Sequence, residues 1–206
     1  MCVDAPDMTK TVTKIVLASG NPGKLRELKA LLDQSLSHIS FSLAPEGFDP
    51  QETGSTFGEN ALIKARAAAQ LTGCISLADD SGICVSALNG APGIRSARYA
   101  PGTDADRRIK LLEALADVPD DKRQAYFACA LAVVDGEGKL LYAGESHWHG
   151  KIAKSEAGAN GFGYDSIFIP DGLDETSAQI DPETKNRMSH RGMAFAELKK
   201  HLLMSL

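Results

Sequence analysis

No stretch of this 206-residue chain is apolar for long enough to cross a bilayer, which takes about 20 consecutive residues, and no secretory-type apolar segment opens it. Basic character is also scarce. Lys and Arg number 22 against 27 Asp and Glu, a formal net charge of −5 with no basic tail. Binding to nucleic acid irrespective of sequence needs a positive surface, so that class of function is disfavoured, although a local basic pocket for a small anion is compatible with the balance. Of the four cysteines, Cys2, Cys74, Cys84 and Cys129, no two have C-x-x-C spacing, which argues against a zinc site and a redox pair. Cys84 and Cys129 fall in apolar runs and read as small core residues. Internal repeats, low-complexity segments and long linkers are lacking too. The expectation is one cytoplasmic domain over residues 1–206, with residues 1–12 a frayed polar extension and neither membrane nor nucleic acid as partner.

What is present is an alternation of strand and helix signals. Residues 13–19 (TKIVLAS) form a short apolar run expected as a buried first strand. Asn21 followed by Pro22 is a helix start, with Asn as N-cap and Pro in the first helical position. The helix that follows carries Leu25, Leu28, Leu32 and Leu36 on one stripe. Thr56 and Glu59 have the spacing of a capping box and open a second helix through about Leu71, with Gly73 at its end. Residues 75–78 and 82–87 are expected as two separate strands, and residues 89–93 (NGAPG) as a turn. Thr103 caps a helix to about Leu115, stopped before Pro119. Residues 124–134 and 140–148 are two long strands, joined as a hairpin by the DGEG of residues 135–138. Residues 166–169 make a last short strand, and Ser189 caps a final helix with Ala194, Phe195, Leu198 and Leu202 turned inward. Early alternation followed by a hairpin predicts an α/β fold with a mixed central sheet and flanking helices.

Five segments carry candidate chemistry. Residues 77–82 read LADDSG, two adjacent carboxylates after an apolar run. Like charges at that spacing repel, so Asp79 and Asp80 call for compensation, by a hard cation such as Mg²⁺ or by a catalytic duty; an Asx-turn at a strand end is the plainer alternative. SGNPGK, residues 19–24, takes a strand through a glycine turn into a helix start, where free N–H groups and the helix dipole suit phosphate and Lys24 adds a charge. It is not a Walker A loop, since Leu25 stands where Ser or Thr should bind magnesium; an ordinary corner with a solvated lysine is the other reading. Around the second helix, Asn60 and Lys64 share a face, Glu59 is accounted for by the cap, and Glu52 lies in the preceding loop. GANGFGYD, residues 158–165, has the wrong glycine spacing for a dinucleotide fingerprint and runs into a strand. It could present Phe162 and Tyr164 for base stacking with Asp165 on a base edge, or it could simply pack as a tight loop. Lys185, His190 and Arg191 add cationic or hydrogen-bonding groups beside Ser189. Together these are the parts needed to hold a nucleoside triphosphate with Mg²⁺.

SGNPGK, ETGSTFGENALIKA, LADDSG, GAPGIRSARYA, GFGYDSIF and SHRGMA, in this order, make the chain resemble the inosine triphosphate pyrophosphatase-like family from about Lys14 to Leu203. The resemblance implies two lobes about a central sheet with a nucleotide cleft between them, a homodimer, and Mg²⁺ as cofactor. It implies hydrolysis of ITP, dITP and XTP to the monophosphate and pyrophosphate. By the same resemblance Ser19, Gly20, Asn21, Pro22, Gly23 and Lys24 would hold the triphosphate, helped by Lys64 and Ser81. Asp80 would be proton acceptor and metal ligand, and Glu52, or the adjacent Gln51, the second ligand. Phe162, Gly163, Tyr164 and Asp165 would meet the base, with Lys185, His190 and Arg191. Two departures are mild: Ser19 stands where many members have Thr, and Ser166 where Pro is common. The rival readings are a nucleotide-binding regulator that does not hydrolyse and a pyrophosphatase for other modified nucleotides.

Overall fold

A computed structural model describes residues 12–32 and 38–205. The chain runs β1 (Thr13–Leu17), α1 (Pro22–Leu32), β2 (Ile39–Leu43), α2 (Phe57–Thr72), β3 (Ile75–Val85), α3 (Asp104–Ala114), β4 (Gln124–Val134), β5 (Leu140–Ile152), β6 (Phe168–Pro170), α4 (Pro182–Met188) and α5 (His190–Ser205), with short 3-10 turns between. The six strands form one sheet in the order β2-β1-β3-β4-β5-β6. Its first half is parallel, because α1 and α2 act as crossovers. Its second half is antiparallel, because a tight hairpin joins β4 to β5. There Asp135 Oδ1 accepts from the Glu137 and Lys139 amides, and Gly138 takes a φ of +84°.

The two faces of the sheet bury different side chains. On one, α2 lays Ala61, Ala65, Ala68 and Ala69, each 0% exposed, against Ala128, Ala130 and Ala132. Small residues on both sides let helix and sheet approach closely. On the other, Leu28, Leu32, Ala194, Phe195, Leu198 and Leu202 pack onto Ile15, Leu17, Leu77, Leu131 and Val133. Each buried Leu there contributes about 1.5–3 kcal/mol. A third cluster, around Phe127, Trp148, Ile167 and Phe168, closes the far end of the sheet.

Several expectations need correction. Residues 75–85 are a single strand, not two, so LADDSG lies mid-strand and no Asx-turn forms there. The ladder to β4, with Asp80 opposite Ala130 and Ser81 opposite Cys129, supplies hydrogen bonds that override the local turn preference. Gly82 is needed inside it: a Cβ would stand 2.5 Å from Gly93 O and Ser96 Oγ. Thr56 does cap α2, accepting from Glu59 N at 3.1 Å, but the Glu59 carboxylate reaches the Ser55 amide and hydroxyl, completing the box one residue early. A full capping box instead opens α3, between Thr103 and Asp106. β5 runs four residues further than expected, to Ile152, and β6 begins after a 3-10 turn at Asp165–Ile167. β2 and the short α4 carry signals too brief to read beforehand. Leu36 lies outside the described residues, as do residues 1–11 of the expected extension.

Candidate active site

Alternation along β3 sends Asp79 and Asp80 to opposite faces of the sheet. Asp79 meets the α1 and α5 side. Its Oδ1 and Oδ2 accept from Lys24 Nζ at 2.8 and 3.0 Å, and Arg191 Nη2 stands 3.5 Å from Oδ2. Lys24 is there because the SGNPGK turn places it in the first turn of α1. Asp80 meets α2. Lys64 Nζ donates to its Oδ1 at 2.7 Å, and Asn60 Nδ2 lies 3.4 Å from Oδ2. The same ammonium is 2.9 Å from Glu52 Oε1, and Arg98 Nη1 is 3.1 Å from Glu52 Oε2. Asn60 is itself fixed, its Oδ1 accepting from Gly54 N, which ties the Glu52 loop to the helix.

These partners push the two aspartates apart in acidity. Burial by itself would raise the Asp79 carboxyl, but the charges of Lys24 and Arg191 outweigh it and hold the group well below the usual carboxylate range. Burial does raise Asp80, with Lys64 opposing and the charge of Glu52 adding to the rise. One ammonium serves two carboxylates there, so Asp80 is under-compensated. Burial would lower Lys64, but Asp80 more than offsets that and keeps it protonated.

Both aspartates open onto a cavity of about 450 Å³, within the size range of small-molecule sites. The wall opposite comes from the GFGYD loop and the start of α5. Phe162 is 61% exposed, with Lys185 Nζ and the Arg191 guanidinium each 5.3 Å from its ring centre. Tyr164 is buried and donates from Oη to Ser96 O at 2.8 Å. Asp165 is buried as well, accepting from Lys185 Nζ, Phe162 N and Ser177 Oγ, so in this state its carboxylate holds the loop together. His190 stacks on Phe127 with ring centres 4.8 Å apart and 8° between planes. Burial, with the charges of Arg191 and Lys185, drops its pKa well below the ordinary value, so the ring is neutral at pH 7. Its Nδ1 is buried without a hydrogen-bond partner among the described residues.

Of the residues expected from sequence, Lys24, Glu52, Lys64, Asp80 and Ser81 line the cavity on one side. Residues 162–165 with Lys185, His190 and Arg191 line the other. Ser19, Gly20, Asn21, Pro22 and Gly23 do not line it. Their turn is closed on itself, Asn21 N donating to Ser19 Oγ and Gly23 N to Asn21 Oδ1, which satisfies donors at a helix start. Gln51 does not line it either, whereas Glu52 does.

Sequence reading missed the segment that joins the two walls. Asp104 Oδ2 accepts from Gly163 N at 2.8 Å and Arg108 Nη1 donates to Gly163 O at 2.9 Å, so α3 holds both backbone groups of one loop glycine. Arg107 is paired with Asp104, and Arg108 with Glu156. Arg98, Asp104 and Arg107 all line the cavity. The available signal was the concentration of arginines at positions 95, 98, 107 and 108 in an otherwise acidic chain. Lys24, Lys64, Arg98, Arg107, Lys185 and Arg191 thus face the cavity against Glu52, Asp79, Asp80, Asp104 and Asp165, each cation with a carboxylate partner. Such a site can exchange carboxylates for phosphates.

Among the described residues, no group of three or more His, Cys, Asp or Glu is placed to hold a metal ion. Glu52 and Asp80 nevertheless converge on one point, filled by the Lys64 ammonium. Two carboxylates around a cation suit Mg²⁺, which takes one or two carboxylates and fills its remaining positions with phosphate oxygens and water.

Residues 15–201 match the model of the Ham1 family. A dITP/XTP pyrophosphatase of Leifsonia xyli subsp. xyli is 48% identical over 189 residues, covering 91% of this chain and 94% of that protein. A dITP/XTP pyrophosphatase of Pseudomonas aeruginosa is 49% identical over 191 residues, covering 92% and 96%. Among solved structures, a HAM1 protein from Coxiella burnetii superposes with a TM-score of 0.86 at 46% identity, covering 94% of this chain and 100% of that one. The Staphylococcus aureus Ham1 protein gives 0.85 at 38% identity, with the same coverage.

Proposed function

The chain belongs to the Ham1 family, and on that premise we propose that it is a nucleoside triphosphate pyrophosphatase that removes deaminated purine nucleotides (dITP, ITP and XTP) from the nucleotide pool. The observation that carries the reading is the divergence of Asp79 and Asp80. Neighbouring carboxylates whose surroundings drive their acidities apart divide into a standing charge and a base. Asp79 stays anionic and fixes Lys24 and Arg191 at the cavity. Asp80, raised by burial, is the better proton acceptor.

A triphosphate entering the cavity would draw Lys24, Lys64 and the rim arginines onto its oxygens, which places positive charge where negative charge develops. Asp80 orients a water towards the α-phosphorus and takes its proton. The water oxygen forms the new bond, the bridge between the α- and β-phosphates breaks, and pyrophosphate leaves with the electron pair. Glu52 and Asp80 would hold Mg²⁺, whose chemistry when bound is to neutralise phosphate charge and help position the water. At the other wall Phe162 offers a face for the base. Hypoxanthine and xanthine carry an oxygen at C6 where adenine carries an amino group, and Arg191, beside the Phe162 ring, would be the donor that favours the oxygen. The dimeric, cytoplasmic form implied by the family resemblance belongs to the same proposal, and sedimentation of the purified protein tests its assembly state.

Phosphorus NMR of reactions with ITP, dITP, XTP, GTP, ATP and dTTP tests the reading. Pyrophosphate and monophosphate from the deaminated purines are expected. Inosine diphosphate as primary product would overturn the line of attack. Tight binding with no turnover would favour a regulator, and preference for dTTP would favour a different modified-nucleotide enzyme.

A further inference from the structure

Lys64 occupies the point where a metal would sit. Its Nζ is 2.9 Å from Glu52 Oε1 and 2.7 Å from Asp80 Oδ1, and its side chain is 13% exposed. The helix beneath cannot retreat, because Ala61, Ala65 and Ala68 of α2 are wholly buried against the sheet. Only the side chain can move, and the open space it lines is the cavity. Arg98, on the other oxygen of Glu52, is 55% exposed at the rim and leaves at little cost.

We infer that Lys64 is a tethered cation that holds the Glu52–Asp80 pair until a divalent ion and a phosphate chain arrive together. The inference rests on the proposed triphosphate reading and goes beyond it. A divalent ion arriving alone would gain two carboxylates but strand a buried ammonium without a partner, which is costly. A phosphate chain arriving alone would have to take Lys64 from two carboxylates and leave them facing each other. Arriving together, the ion takes the carboxylates and the phosphate takes Lys64, so every charge stays matched. Metal and phosphate are therefore positively coupled, each raising the affinity for the other by the same factor. In the absence of nucleotide Lys64 competes with metal, guarding the site against adventitious divalent ions.

Mn²⁺ binding to the full chain, followed by electron paramagnetic resonance without nucleotide, tests this. Lys64→Met is expected to bind Mn²⁺ at least tenfold more tightly than the unsubstituted protein, a difference of about 1.4 kcal/mol. Lys64→Arg should stay close to the unsubstituted protein, and Lys200→Met, which removes an exposed cation bonded to Glu197 outside the cavity, should change affinity less than threefold. Lys64→Gln carries the same expectation should circular dichroism find the Met variant misfolded. In the unsubstituted protein, saturating pyrophosphate should tighten Mn²⁺ binding at least tenfold, beyond the metal held by free pyrophosphate, and this coupling should shrink in Lys64→Met. Equal or weaker Mn²⁺ affinity in both Lys64→Met and Lys64→Gln overturns the inference, as does equal tightening by Lys200→Met. Nucleotide hydrolysis with untightened Lys64 variants overturns the exchange alone, whereas tightened variants of a protein that hydrolyses no nucleotide overturn the enzymatic reading alone.

Discussion

Asp79 and Asp80 are neighbours in the chain but are bonded to different lysines: Asp79 to Lys24 at 2.8 Å on one face of β3, and Asp80 to Lys64 at 2.7 Å on the other. Replacing each should therefore have different consequences. Asp80→Asn should fold normally and lose about 10²–10⁴ in turnover, the usual cost of losing a general base. Asp79→Asn should act mainly on stability, because a buried charge pair loses one partner; with Lys24 partly exposed, a loss of about 3 kcal/mol is expected. Urea denaturation with steady-state kinetics on dITP checks both. Near-normal turnover in Asp80→Asn at saturating Mg²⁺ would remove Asp80 from the chemistry.

The clasp on Gly163 should govern binding more than chemistry. Asp104→Ala and Arg108→Ala each free one backbone group of the loop that carries Phe162. Each should raise KM for dITP several-fold while kcat stays within about twofold, each hydrogen bond being worth roughly 1 kcal/mol. Asp104→Asn keeps an acceptor for the Gly163 amide and should recover most of the loss. A fall in kcat with KM unchanged would place the clasp on the reacting end instead.

Base discrimination should depend on Arg191. A donor that meets the C6 oxygen of hypoxanthine faces the amino group of adenine unpaired, at a cost of roughly 1–3 kcal/mol, or about 5–150-fold. Arg191→Ala should narrow the ITP-to-ATP ratio of kcat/KM, chiefly by weakening ITP. Because Arg191 also bonds Asp79, the variant's melting temperature must be measured alongside. An unchanged ratio would leave Arg191 a partner of Asp79 and not a reader of the base.

His190 makes stability depend on pH. Its folded pKa lies well below the ordinary value of about 6.5 that the unfolded chain has, chiefly through burial and then through Arg191 and Lys185. Above pH 6.5 the ring is neutral in both states and the stability is fully present. As pH falls below 6.5 the unfolded chain takes up a proton that the folded chain refuses, so stability drops by up to about 1.4 kcal/mol per pH unit. His190→Gln should lack that component between pH 6.5 and 5. Parallel urea titrations of the two proteins across this range would refute it if their slopes coincide.

Much of this molecule was legible in the order of its residues. The alanine face of α2, the Leu25, Leu28 and Leu32 part of the α1 stripe, the DGEG hairpin and the Ser189 cap are local patterns, and each forms as read because spacing along the chain decides which groups meet. Lys24, Glu52, Lys64, Asp80, Ser81, residues 162–165, Lys185, His190 and Arg191 were legible as cavity residues through the ordered motifs that carry the resemblance, whereas Arg98, Asp104 and Arg107 were not. Three features were not legible. The unity of β3 came from its ladder to β4, which outweighs the turn preference of Asp, Ser and Gly. The placing of Lys64 between Glu52 and Asp80 joins a loop, a helix and a strand that no sequence period relates. The bonds from α3 to Gly163 span 55 and 59 residues. Local spacing determines what each element can present. Which charges become partners is decided only when the sheet brings those elements together, because a hydrogen bond depends on distance in space and is indifferent to distance along the chain.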